Sequence, residues 1–100
     1  MARIIWTMRA ADEYGAAVEY IARDAPVAAK RLAQRIMQRI RSLRKFPDSG
    51  GFIPEDDSRR YRQLIEGNYR IIYRRHQDAV VIASIYHAAR LLNPDDLASD

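Results

Sequence analysis

No cysteine occurs among the 100 residues of this chain. Disulfides and thiolate-ligated metals are therefore excluded, and cysteine usage says nothing of the redox compartment. Lysine is scarce too, since only Lys30 and Lys45 stand among seventeen basic residues and positive charge is almost wholly guanidinium. No apolar run is long enough to span a bilayer. The opening MARIIWTMRAADEY turns acidic too soon after too short an apolar stretch to serve as a secretory leader. A cytoplasmic protein with no membrane association, metal or cofactor is expected. Internal repeats, low-complexity tracts and interdomain linkers are also lacking. One domain over residues 1–100 follows, large enough to bury roughly 65% of its unfolded surface in a single core, with residues 92–100 expected to fray.

What is present in excess is positive charge, unevenly placed. Seventeen basic against thirteen acidic residues give a net charge of +4 and an isoelectric point near 9.8. Lys30 to Lys45 holds seven basic residues and no acid, and Arg59 to His76 holds six arginines against Glu66 alone. The last ten residues carry three aspartates and no base. Such clustering suits an acidic partner, whether nucleic acid or polypeptide, or it is simply a solvated face; charge alone leaves direct nucleic-acid binding open.

The chain divides by its punctuation. Ile4, Ile5 and Trp6 make a short first strand, and Thr7 is placed to cap a helix running to about Arg23, with Ala11, Tyr14, Val18, Ile21 and Ala22 at helical spacing. Asp24-Ala25-Pro26 breaks it, and Pro26 suits the first position of a second helix, where a missing N–H costs nothing. That helix should run to about Phe46, with an apolar stripe through Ala29, Leu32, Ala33, Ile36, Ile40 and Leu43 beside a basic stripe of Arg31, Arg35 and Arg39. PDSGGFIPEDDS, residues 47–58, reads as a loop, with Phe52 and Ile53 available to pin it.

Residues 59–90 then read as three strand-length runs separated by EGN and QD. A three-residue loop at Glu66-Gly67-Asn68 would set Ile65 opposite Tyr69, so that Tyr61, Ile65, Tyr69, Ile71 and Tyr73 share a core face. Arg60, Arg62, Arg70 and Arg74 would then occupy the reverse. Past a Gln77-Asp78 turn, Val80, Ile82, Ser84 and Tyr86 join the core, while Val81, Ala83, Ile85 and His87 join the arginines. The expected fold is α+β, a strand, a helical hairpin and a three-stranded antiparallel meander, with both helices on one sheet face.

In this order and spacing the residues resemble a known family. The pieces are Tyr20-Ile21-Ala22 before Pro26 and Ala28-Ala29, the helix exit Phe46-Pro47 with Gly50, the strand Tyr69-Arg70-Ile71-Ile72-Tyr73, and His87-Ala88-Ala89-Arg90. Over nearly its whole length the chain looks like the RelE/ParE superfamily of bacterial type II toxins, with helix motifs closer to the ParE branch. The resemblance implies a toxin that inhibits DNA gyrase by binding it and is held inactive by a cognate ParD-like antitoxin. It implies as the alternative a RelE-like, metal-independent endoribonuclease that cuts mRNA on the ribosome.

Ribonuclease chemistry needs a base, an acid and cations for the phosphorane charge. His87, Arg90 and Arg70 are the residues that could supply them, imidazole being the side chain that titrates near neutral pH. Against this, a lone histidine more often ends a strand, the loop at 55–57 is acidic where RelE-like members carry lysines, and no aromatic residue follows Arg90. Most tyrosines fall at core positions and read as packing; only Tyr20 lacks a buried place. The expected partner surface is instead the sheet's reverse. There an apolar strip of Val81, Ala83 and Ile85, bordered by Arg60, Arg62, Arg70, Arg74, His87 and Arg90, would await an acidic amphipathic tail.

Overall fold

Thr7 joins the first strand to the first helix and ties both to the sheet. Its backbone is extended, with φ −72° and ψ 157°. Its hydroxyl accepts the Ala10 N–H at 3.0 Å and donates to the Ile82 carbonyl at 2.9 Å, so one side chain caps a helix and fixes where that helix starts over the sheet. The computed structural model describes residues 1–99. Its elements are β1 (Arg3–Trp6), α1 (Met8–Ala22), α2 (Pro26–Ser42), β2 (Gly51–Phe52), β3 (Arg62–Glu66), β4 (Tyr69–His76), β5 (Ala79–His87) and a C-terminal 3-10 helix (Pro94–Ser99). The five strands form one sheet in the order β1-β5-β4-β3-β2, with β1 parallel to β5 and the other neighbours antiparallel.

The helical hairpin covers one sheet face. Pro26 opens α2 as its composition suggests, and Ala29, Leu32, Ile36 and Ile40 turn inward, with Leu43 buried just beyond the helix end. Leu32, Ile36, Ile40 and Leu43 meet Leu64, Ile71, Tyr73, Val80, Ile82 and Ile85 from the sheet, and each fully buried aliphatic side chain there contributes about 1.5–3 kcal/mol. In α1 the inward positions are Ala10 and Ala17, with Tyr14 and Ile21 partly covered. Tyr14 stacks edge-on against Trp6 of β1, with ring centroids 5.6 Å apart.

The α+β architecture matches expectation, but the sheet departs from it in three ways. First, the β3–β4 turn takes two residues, not three. Gly67 adopts φ +58°, which closes the reversal at Gly67-Asn68, sets Glu66 opposite Tyr69 and sets Ile65 opposite Arg70. The whole of β3 therefore turns over: Leu64 is buried at 8% exposure and Ile65 lies at 50%. Second, β5 carries a bulge. Ile72 pairs with Ser84 but Tyr73 pairs with Ile82, leaving Ala83 as the extra residue. A bulge resets the alternation beyond it, so Ile85 pairs with core Ile71, His87 pairs with Tyr69, and Tyr86 lies opposite Arg70. Third, residues 47–61 contribute a short edge strand, β2, paired to β3.

The reverse of the sheet is not open. Ile72, Ala83 and Tyr86 pack there under Ile53, Tyr61 and Leu97, with Leu92 alongside. The expected exposed strip is thus absent: Val81, Ala83 and Ile85 are 8%, 2% and 3% exposed. Leu92 and Leu97, within the segment expected to fray, pack into this second core. Leu97 in the 3-10 helix is 2% exposed, and the Tyr86 hydroxyl donates to the Leu91 carbonyl at 2.5 Å. Asp100 lies outside the described residues.

Candidate functional site

The bulge at Ala83 delivers His87 to the helix side of the sheet, where β5 runs out beside α1. Small side chains on α1, Ala16 and Ala17, leave a groove of about 600 Å³ between helix and strand end. Tyr20, Tyr69, Ile85, His87 and Arg90 complete its walls. Tyr20 is 71% exposed, as its want of a buried place in the sequence suggested. His87 meets Tyr69 edge-on at 5.2 Å, and its Nδ1 accepts the Ala89 N–H at 3.1 Å. That bond leaves Nε2 to carry the proton of the neutral ring. The Arg90 N–H closes a turn onto the His87 carbonyl at 3.1 Å, while its guanidinium makes no ion pair among the described residues.

Glu13 is the groove's carboxylate, and it is already engaged. Its Oε1 accepts from the buried Ser84 hydroxyl at 2.7 Å and faces Arg9 Nε at 3.4 Å. The lining is therefore aromatic and aliphatic, with one imidazole and one unpaired cation. Such a surface can seat an apolar side chain and a carboxylate from a partner.

Arg70 is not part of this site. It lies on the reverse face, 7% exposed, with Nη1 and Nη2 on Glu55 at 2.6 and 2.8 Å and Nε on the Gln63 side-chain oxygen at 2.7 Å. The pair holds the Glu55 carboxyl below the usual carboxylate range, chiefly through that hydrogen bonding, against the opposing effect of burial. Tyr69 and His87 sit opposite each other in the register, and so do Arg70 and Tyr86, so His87 and Arg70 project to opposite sides. Of the candidate ribonuclease residues, the structure brings together His87 and Arg90 only.

The remaining arginines expected on one basic surface are divided. Arg62 and Arg75 converge on Asp48 at 3.8 and 3.2 Å, and Arg62 also donates to the Gly50 carbonyl at 2.7 Å. Arg60 is exposed over the Tyr61 ring, 5.2 Å from its centroid, and reaches Asp56 at 3.9 Å. Arg74 is half-buried at the end of the reverse face opposite Val81. The Asp56 carboxyl is held low, first by its hydrogen bond from Ser58. Gly50 sits beside this cluster because nothing larger fits: a Cβ there would lie 2.5 Å from the Gln63 carbonyl oxygen and 2.8 Å from the Tyr73 hydroxyl. That hydroxyl accepts the Gly50 N–H at 2.9 Å, and burial pushes its pKa up.

Among the described residues no group of three or more His, Asp or Glu could hold a metal ion, and no helix is long and apolar enough to cross a membrane. The groove was not legible beforehand, since it depends on the bulge; Gly15-Ala16-Ala17 facing a strand end was the available signal.

Comparison with known proteins bears on the same elements. Residues 4–92 match the family model described as ParE toxin of type II toxin–antitoxin system, parDE. Toxin RelE2 of Caulobacter vibrioides is 35% identical over 92 residues, covering 91% of this chain and 100% of that protein. Among solved structures, one titled chromosomal ParDE TA system from P. aeruginosa superposes with a TM-score of 0.73 at 21% identity, covering 87% of this chain and 96% of that one. A YoeB dimer from Staphylococcus aureus superposes with a TM-score of 0.61 at 16% identity, covering 86% and 95%.

Proposed function

The chain belongs to the family of ParE toxins of type II toxin–antitoxin systems, and from that premise we propose that it arrests growth by binding and inhibiting DNA gyrase in the cytoplasm, until a cognate antitoxin neutralises it. The observation that carries this reading over a ribonuclease is the fate of Arg70. All three of its guanidinium nitrogens are taken by Glu55 and Gln63, and His87 faces the other way. His87 keeps a different cation, Arg90, beside it, but the groove's carboxylate, Glu13, is held by Ser84 and Arg9, so among the described residues no second free carboxylate or imidazole stands there to pair with it across a phosphorane.

The antitoxin's seat moves accordingly. A partner cannot occupy a reverse face already filled by Ile53, Tyr61 and Leu97, so Arg70 and Ala83 contribute little direct contact there, and Ile85 lies instead in the groove wall on the other face. The groove at Tyr20, Tyr69, His87 and Arg90 is the surface that offers an apolar recess beside a free cation. The solved neighbour titled as a ParDE system supports a toxin–antitoxin pair as the working unit.

Gyrase supercoiling of relaxed plasmid tests the proposal. Inhibition by purified toxin, relieved by equimolar antitoxin, is expected; full supercoiling at saturating toxin contradicts it. The second reading, a ribosome-dependent endoribonuclease, is favoured by the name of the Caulobacter relative. It predicts cleaved transcripts and loss of toxicity in His87→Gln.

A further inference from the structure

The groove and the reverse face leave one large feature unexplained, the outer side of α2. Between Lys30 and Lys45 lie seven basic residues and no acid, all exposed. Elsewhere in the molecule ion pairing is common: Arg3, Arg9, Arg60, Arg62, Arg70 and Arg75 each reach a carboxylate. No α2 cation does so among the described residues. Arg39 donates to the Ile65 carbonyl at 3.3 Å and, just past the helix, Lys45 lies over the Phe46 ring at 5.6 Å; the others keep their charge in water. Outside this segment ten basic residues are outnumbered by thirteen acidic ones, so the positive field of the protein is that of α2 and the turn that follows it.

We infer that the solvent face of α2 binds the phosphate backbone of duplex DNA. Arg31, Arg35 and Arg39 recur at i, i+4, which aligns three guanidiniums over about 12 Å of helix axis. Duplex DNA presents about one phosphate per 1.7 Å of its own axis. Between and beside them stand Gln34, Gln38 and Ser42, all exposed, and these are side chains that hydrogen-bond phosphate oxygens. The occupant is further defined by what the face omits. No large apolar residue is exposed on α2 beyond Val27, and protein interfaces rely on buried apolar or aromatic anchors. No aromatic residue stands in the stripe to stack unpaired bases, as single-strand binders require. Like charges at i, i+4 repel, and a polyanion laid along the stripe would relieve that repulsion.

The test is fluorescence anisotropy of the purified full chain with a labelled duplex of random sequence, between about 50 and 200 mM salt. Wild type is expected to bind with a log–log salt slope that flattens by about 2.7, at about 0.9 per contact, in the triple variant Arg31→Gln, Arg35→Gln, Arg39→Gln. Affinity at the lower salt should fall at least about tenfold. Glutamine keeps helix propensity, and circular dichroism checks that α2 survives. Arg75→Gln, which removes a cation paired with Asp48, should leave the slope unchanged. No binding at the lowest salt, or a triple variant indistinguishable from wild type, overturns the inference. So does equally tight binding to the corresponding single strand, or displacement of duplex by polyglutamate at matched charge. The gyrase proposal is separate: a toxin that blocks supercoiling yet fails this assay loses the DNA contact and keeps the target.

Discussion

Arg70 and Glu55 form a two-pronged ion pair across the reverse of the sheet, Nη1 to Oε2 at 2.6 Å and Nη2 to Oε1 at 2.8 Å. The Arg70 side chain is 9% exposed and that of Glu55 27%. The pair bolts the loop after α2 onto β4, and so holds Ile53 and Tyr61 over Ile72 and Tyr86. Removing one partner leaves a nearly buried charge uncompensated.

Glu55→Gln is therefore expected to lower unfolding free energy by about 2 kcal/mol at neutral pH, read from urea denaturation. The pH dependence has a definite sign. Glu55 is held below its ordinary value in the folded state, so its contribution is present above the unfolded carboxylate pKa and is lost as pH falls through the folded one. The gap between wild type and Glu55→Gln should be full at pH 7 and close progressively below about pH 4.3. A gap independent of pH would show that charge is not the cause.

Gly50→Ala should cost about 1–3 kcal/mol. Its Cβ would meet the Gln63 carbonyl oxygen at 2.5 Å, backbone that cannot swing aside, and the Tyr73 hydroxyl at 2.8 Å. Tyr73→Phe removes the acceptor for the Gly50 N–H and should cost about 1–2 kcal/mol alone. Because both act on one contact, the double variant should be less destabilised than the sum. Thermal melts of the four proteins decide it.

Thr7→Ala should destabilise by about 1–2 kcal/mol, since the hydroxyl both caps α1 and bonds the Ile82 carbonyl. Thr7→Ser, which retains both bonds, should recover most of that loss. Equal loss in both variants would mean that the methyl group matters and the cap does not.

Ala16→Trp is designed to fill the groove from its exposed helical wall. Calorimetry with the cognate antitoxin should show binding weakened at least about tenfold, in the range of a lost interface anchor, with the melting temperature little changed. Unaltered affinity would remove the groove as the antitoxin's seat.

Much of this fold was readable where local chemistry is decisive. Thr7 before α1, Pro26 at the start of α2 and the Gln77-Asp78 reversal each have a short-range cause. The α2 stripe is legible because polar residues interrupt it at helical spacing. β5 is different: AVVIASIY has scarcely a polar residue to mark a face, so alternation carried no information and the bulge at Ala83 left no trace. The β3 register failed at EGN, which serves a two- or three-residue turn equally well. Ile53 beside Phe52, Leu92 beside Leu91, and Leu97 lie in short stretches without a period to announce that they cap a second core. His87 and Arg90 stand out in the sequence by residue type, but their separation from Arg70 follows from the bulge.

Binding without RNA cleavage is the claim on which the account turns, and mapping transcript 5′ ends in cells after toxin induction tests it most directly. The account predicts an end profile matching that of uninduced cells while supercoiling of a reporter plasmid falls. New ends phased to the reading frame, disappearing in His87→Gln, would contradict it.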